Sequence, residues 1–238
     1  MEKKEKMSLS SIISLAFLCT IIFLMFVSPI QLIGMEHFIE IEFLGCIALF
    51  IYTLIKHSKE TPTLAFKLSF FILVVNIGLT KITLINTENG KQIPIVSFLS
   101  NVMCHKGIVI GMILITFFIL LSFILTKKTS KKIGVLAKKT LTSTTKDDID
   151  FLSDIDGAAK FLLGTTNATL FIVIASIAGG VGLEKFMHNK SWQEAVKISI
   201  TNTSGNVPLF FIPLLLVTLS LEITIWKINK TGKHEYYK

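Results

Sequence analysis

The chain contains no arginine: all 24 of its basic residues are lysines, a composition that, with its abundant isoleucine, is associated with AT-rich bacterial genomes. Cysteine is scarce too. Cys19, Cys46 and Cys104 are scattered, with no CxxC or Cys/His ligand spacing, so neither a disulfide nor a metal site is expected. The histidines His37, His57, His105, His188 and His234 fall in predicted loops or flanks, which leaves a metal-binding or catalytic histidine without support. There is no Walker A loop, GxSxG or HExxH, and no pair of carboxylates on a plausible common face. Neither an enzyme nor a cofactor-binding protein is expected, and the chain carries no nucleotide engine of its own. Charged residues make up only 17% of the sequence against 51% hydrophobic, a balance unlike that of a soluble domain of 238 residues.

What is present is apolar sequence in long blocks, with a mean hydropathy of +0.68. Crossing a hydrocarbon core of about 30 Å takes roughly 20 helical residues. Six segments approach or reach that length: about 10–30, 38–55, 63–85, 107–126, 161–183 and 207–226. The second is short and contains Glu40 and Glu42, which weakens its signal. The predicted fold class is all-α, a single polytopic transmembrane domain of about six helices with no large soluble domain. The first span follows Met1-Glu2-Lys3-Lys4-Glu5-Lys6; it is too long for a signal-peptide core and lacks a small-x-small cleavage site, so it is expected to stay as an anchor.

Lysine placement predicts the orientation. Lys127, Lys128, Lys131, Lys132, Lys138, Lys139 and Lys146 lie between spans four and five, and the N-terminus, the 56–59 turn and the 227–238 tail are also basic. With six spans these segments share one side, which the positive-inside rule makes cytoplasmic, together with both termini. Lys91, Lys106, Lys185, Lys190 and Lys197 on the other side reduce the contrast. The net charge of +8 therefore points to cytoplasmic flanks that favour anionic headgroups, and not to nucleic acid. No internal repeat supports an inverted-repeat transporter. The basic loop 127–156 is the one polar segment of any size; its 131–139 part is expected to form a basic helix on the cytoplasmic leaflet.

Polar residues inside the spans are few. Asn76, Thr80 and Thr83 share one face of span three, with Lys81 following near the outer end. Hydrogen bonding between helices, typically about 0.6–2 kcal/mol per contact, and a pathway lining both fit this stripe. Lys67 is expected to snorkel to the headgroups. In span five Ala175/Gly179, Ser176/Gly180 and Ala178/Gly182 are small-xxx-small pairs that predict close helix packing or oligomerisation. Span six holds Pro208 and Pro213, expected to break or kink the helix and free backbone carbonyls. It also holds Glu222, expected to pair with Lys227 or meet headgroups, with a buried proton carrier as the rival role.

The most informative run is Asp154-Ile155-Asp156-Gly157-Ala158-Ala159-Lys160-Phe161, where a polar loop is expected to become an apolar helix. Its part 156–161 resembles the DGASKF motif of the FHIPEP family, the large export-gate proteins of bacterial flagellar and virulence type III secretion systems. The stretch from Pro62-Thr63-Leu64 through Phe71, Asn76, Thr80 and Lys81 is similar to that family's PTL…F-R-L-x-L-N-V-A-S-T-R signature, with Ile72 where the family has its first arginine. Gly179-Gly180, Glu194-Ala195, Gly205 and Pro213 continue the resemblance in order, so it is collinear over about 61–227.

The resemblance implies a multi-pass protein of the bacterial inner membrane that works with other export-apparatus membrane subunits and forms homo-oligomeric rings in the lipid bilayer. It also implies further spans, an MPGKQ segment and a large cytoplasmic domain, none of which the 238 residues include. The family's membrane acids are linked to use of the proton-motive force. Here Thr165 and Asn206 stand at two of the three motif acids and cannot titrate at physiological pH, so only Asp156 remains. Asp156, Lys160, Asn76, Thr80, Lys81 and Asn206 are thus the candidate ion-pathway or gating residues. Ala175, Ser176, Gly179 and Gly180 are candidates for helix packing. A salt bridge between Asp156 and Lys160 is the structural alternative at the first pair. Two other functions stay open: a small-solute or ion transporter using Asn76, Thr80, Thr165, Asn167 and Glu222, and a degenerate structural membrane protein.

Overall fold

The computed structural model describes residues 32–56, 60–89, 93–105, 107–140 and 146–231, and within them every regular element is helical. The helices are α1 Leu32–Ile55, α2 Thr61–Asn89, α3 Pro94–Cys104, α4 Ile108–Thr140, α5 Lys146–Phe186 and α6 Trp192–Thr231. The expected span 10–30, with Cys19, lies outside the described residues, as do His57 and His234.

Local chemistry sets the helix ends. Proline stands in the first turn of both α2 and α3, where its missing N–H costs nothing. Gly107, at φ +128°, makes the turn from α3 to α4 in a conformation that side chains rarely adopt. Ser191 and Glu194 form a reciprocal capping box at the start of α6: the Glu194 N–H donates to Ser191 Oγ at 3.2 Å, and the Ser191 N–H donates to Glu194 Oε2 at 3.2 Å. At the opposite end of the molecule, Lys227 Nζ donates to the carbonyls of Thr53 and Leu54 at 2.5 and 2.9 Å, satisfying acceptors that the end of α1 leaves open.

Helix α6 is the axis of the bundle and packs against all five others. Residues 202–211 of α6 are buried without interruption. Helix α6 continues through Pro208 and Pro213, so of the expected break or kink neither proline makes a break; packing against the other five helices holds the backbone in place. Helices α4 and α6 run parallel, as the pairs Thr126/Thr218 and Lys132/Glu222 show. Helix α5 runs antiparallel to α6, with Ser176 beside Thr203 and Gly180 against Ser199. Helix α2 runs with α5: Phe66 and Phe70 pack on Phe161, and further along both helices Asn76 meets Thr169. One end of the bundle therefore gathers the end of α1, the start of α2, the end of α4, the start of α5 and the end of α6.

Some expectations change. Most of the expected loop 127–156 is helical, because 127–140 completes α4 and 146–156 opens α5. Lysine and alanine are good helix formers and no proline interrupts them, so the backbone keeps its hydrogen bonds after the apolar run ends. For the same reason 131–139 continues α4 and is not a separate surface helix. The outer connection contains α3, and His37 sits in α1, not in a loop, at 3.3 Å from Glu40.

The outward faces are apolar. Ile41, Leu44 and Ile51 on α1, Ile113, Phe117 and Ile124 on α4, and Phe171 and Ile174 on α5 are all exposed. The apolar window of α4 is only 17% buried. In water such a surface would drive association, whereas acyl chains solvate it.

Candidate functional site: a polar seam along the axial helix

The inward face of α6 carries polar side chains at intervals over most of its length, and several of them meet a partner from another helix. Nearest the capping box, Ser199 Oγ back-bonds to the Ala195 carbonyl and abuts Gly180, where an added Cβ would come within 2.8 Å of it. One turn on, Thr203 Oγ1 lies 3.1 Å from Ser176 Oγ. Ser204 directs its proton to the Thr201 carbonyl, so the Cys104 thiol is the donor in their 3.2 Å contact. Asn206 is fully buried; its amide nitrogen donates to Thr83 Oγ1 at 3.0 Å, and that hydroxyl donates back to the Asn206 oxygen at 3.4 Å.

Two more clusters follow. Asn76 donates to Thr169 Oγ1 at 3.1 Å, joining α2 to α5. Nearer the lysine-rich end, Thr126, Thr166 and Thr218 converge from α4, α5 and α6, at 3.2 Å for Thr126/Thr218 and 3.5 Å for Thr166/Thr126. Thr166 and Thr218 also bond to carbonyls one turn back, at Leu162 and Leu214. Between Asn206 and Thr218 on α6 stand Phe210, Phe211 and Leu214, all within 1% of complete burial. The polar groups are thus separated by a packed apolar layer and do not line an open channel along α6.

The candidates divide accordingly. Asn76 and Asn206 lie in the seam. Thr80 is buried there, and its hydroxyl has no hydrogen-bond partner among the described residues. Lys81 is exposed. Asp156 and Lys160 lie beyond the lysine-rich end of the seam: Lys160 Nζ meets Asp156 Oδ2 at 2.5 Å, and Asp156 is ten residues or about 15 Å along α5 from Thr166. The other Asp156 oxygen is buried beside Gly134 of α4 without a hydrogen-bond partner among the described residues. Ser176 and Gly180 face α6, whereas Ala175 and Gly179 are exposed. Glu222 does not pair with Lys227; it binds Lys132 of α4, with Thr129 Oγ1 3.5 Å from its other oxygen. Lys227 is drawn instead to the open carbonyls of α1.

Sequence reasoning missed one residue of chemical interest. Glu42 is 1% exposed in the middle of α1, and its Oε1 has no hydrogen-bond partner among the described residues. The signal was there: Met35, Ile39, Glu42, Cys46, Leu49 and Thr53 alternate by four and three, one continuous stripe that is buried throughout. Glu40, two residues away, points outward.

Five helices long and apolar enough to cross a membrane, outward apolar faces and a hydrogen-bonded polar interior define a polytopic helical membrane protein. Its relatives belong to protein export. The chain is similar to the flagellar biosynthesis protein FlhA of Bacillus subtilis (strain 168), at 24% identity over 72% of this chain and 29% of that protein. It is similar to the hypersensitivity response secretion protein HrpI of Pseudomonas syringae pv. syringae, at 21% identity over 93% of this chain and 36% of the relative. A shorter match, 31% identical over 90 residues, is to the secretion system apparatus protein SsaV of Salmonella typhimurium, covering 38% of this chain and 13% of that one. The chain spans about a third of the length of the curated FlhA and HrpI relatives it matches. No protein-family profile matches the chain. No solved structure matches it.

Proposed function

We propose that the chain is a membrane component of a bacterial type III protein-export apparatus, flagellar or virulence-associated, seated in the inner membrane with both termini cytoplasmic. The observation that carries this reading is the similarity to flagellar and virulence export proteins over 72–93% of the chain. The seam supports a role as a rigid membrane element. Where the resemblance leads one to expect an acid, Asn206 forms a neutral bond to Thr83, which ties α6 to α2 and offers no titrating group. Proton coupling through that position is therefore not part of the reading, and of the motif acids only Asp156 is retained.

Outward apolar faces and exposed small residues at Ala175 and Gly179 suit contacts with further copies and with other membrane subunits of the apparatus. The test is purification of the tagged chain from its native membrane. Other export-apparatus membrane subunits are expected in the complex, and loss of the gene is expected to lower secretion of exported proteins. A native complex that lacks every such subunit would sink the proposal. A small-solute transporter fits less well, because Phe210, Phe211 and Leu214 close the seam.

A further inference from the structure

At the lysine-rich end, α4 and α6 part to leave a groove of about 920 Å³. One wall is Lys128, Lys131, Lys132 and Val135, at helical spacings of three and four; the other is Leu219, Glu222, Ile223 and Trp226. Its charge is unbalanced. Glu222 is the one acid in the lining and is already bound by Lys132. Lys128 and Lys131 are exposed and have no acidic partner among the described residues.

The depth of the groove identifies its occupant. The apolar run of α4 ends at Thr126 and the lysines begin at the next residue, so the groove lies where hydrocarbon gives way to headgroups. Trp226, 57% exposed on its rim, is the residue type that settles at that level. Immediately beyond the lysines, the exposed strip Phe117, Leu120, Leu121 and Ile124 continues along α4 into the apolar zone. Ammonium groups above an apolar strip complement a molecule with an anionic head and hydrocarbon tails. A second copy of this chain would bring the same excess of lysine against itself.

We propose that this groove is a binding site for one anionic phospholipid, the phosphate held by Lys128 and Lys131, with Trp226 against the glycerol region and an acyl chain on the exposed strip of α4. Lys132 stays with Glu222 and props the two helices at their separation. The proposal rests on the membrane reading alone and does not require the export function, so the two fail by different measurements.

The test uses the full chain in nanodiscs of phosphatidylcholine with phosphatidylglycerol added in steps, followed by native mass spectrometry of retained lipid. Wild type is expected to hold phosphatidylglycerol in preference to phosphatidylcholine. The double variant Lys128→Gln/Lys131→Gln is expected to weaken that retention about 30-fold, at roughly 1 kcal/mol per lysine. Lys190→Gln/Lys197→Gln, with the same charge change at the other end, is the control and is expected to match wild type. Equal retention of the two lipids, or equal losses in the two double variants, would overturn the site. So would a shift in oligomer size on Lys128→Gln/Lys131→Gln with lipid retention unchanged, since that assigns the groove to a second copy.

Discussion

Asn206 and Thr83 exchange hydrogen bonds through a single hydroxyl, which accepts from the Asn206 amide nitrogen at 3.0 Å and donates to its oxygen at 3.4 Å. Each member satisfies the other at complete or near-complete burial, and each belongs to a different helix. A double-mutant cycle with Asn206→Ala and Thr83→Val, read by unfolding in detergent, is expected to give a coupling energy of about 0.6–1.7 kcal/mol. A coupling indistinguishable from zero would show that the pair does not tie α2 to α6.

Gly205 neighbours that pair for a steric reason. A Cβ there would lie 2.2 Å from Ser100 Oγ and 2.3 Å from the Val96 carbonyl oxygen of α3. The carbonyl is backbone and cannot rotate away. Gly205→Ala is expected to destabilise by about 1–3 kcal/mol, and Ser100→Ala to restore only part of it. Gly164, with nothing within 4 Å of a built Cβ, is the contrast: Gly164→Ala should be neutral or stabilising by up to about 1 kcal/mol. Equal effects at the two glycines in thermal unfolding would refute the close approach of α3 to α6.

These cases show what was legible in the sequence. Five described spans follow from hydropathy alone, since an apolar block of that length has no other stable place. Their ends do not, because α4 and α5 leave the apolar zone as continuous helices, and lysines or aspartates read as loop when only hydropathy is followed. Helix α3, at eleven residues, is too short to register as a span, and what orders it is tertiary: contact with Gly205 and Ser204. The Ser191/Glu194 capping box was readable from its spacing. The choice of Lys132 over Lys227 for Glu222 was not, because it depends on which helices become neighbours.

Glu42 tests the interior from another direction. A buried carboxyl with an unpartnered oxygen is a cost to folding, and replacing it with a group of similar volume and no polarity removes that cost. Glu42→Leu is expected to raise stability by about 1–3 kcal/mol in detergent unfolding, with the helical content unchanged. A drop of that size would mean that the carboxyl is bound by a group outside the described residues or by another subunit.

Topology is checked by thiol accessibility. In a background with Cys19, Cys46 and Cys104 replaced, Asp150→Cys on the lysine-rich end and Lys190→Cys on the opposite end are both exposed positions. Under the positive-inside rule an impermeant maleimide is expected to label Lys190→Cys in intact cells, and Asp150→Cys only after the membrane is opened. The reverse pattern would invert the orientation proposed here.

Under the proposed export function, Asp156 and Lys160 are the residues that test whether any motif chemistry is retained. The pair is a helical i,i+4 contact at 2.5 Å, and Lys160 is 69% exposed, so its contribution to stability is no more than about 0.5 kcal/mol. The unpartnered Asp156 oxygen facing α4 is what a purely structural salt bridge leaves unexplained. Asp156→Asn keeps the volume and removes the charge; it is expected to leave unfolding within about 0.5 kcal/mol of wild type and to lower secretion severalfold. Lys160→Ala, which breaks the same pair from its exposed side, is expected to lower secretion less. If both variants secrete as wild type does, the pair is a helix staple and the last motif acid has no part in export. If both fall equally, the salt bridge itself, and not the acid, is what export requires.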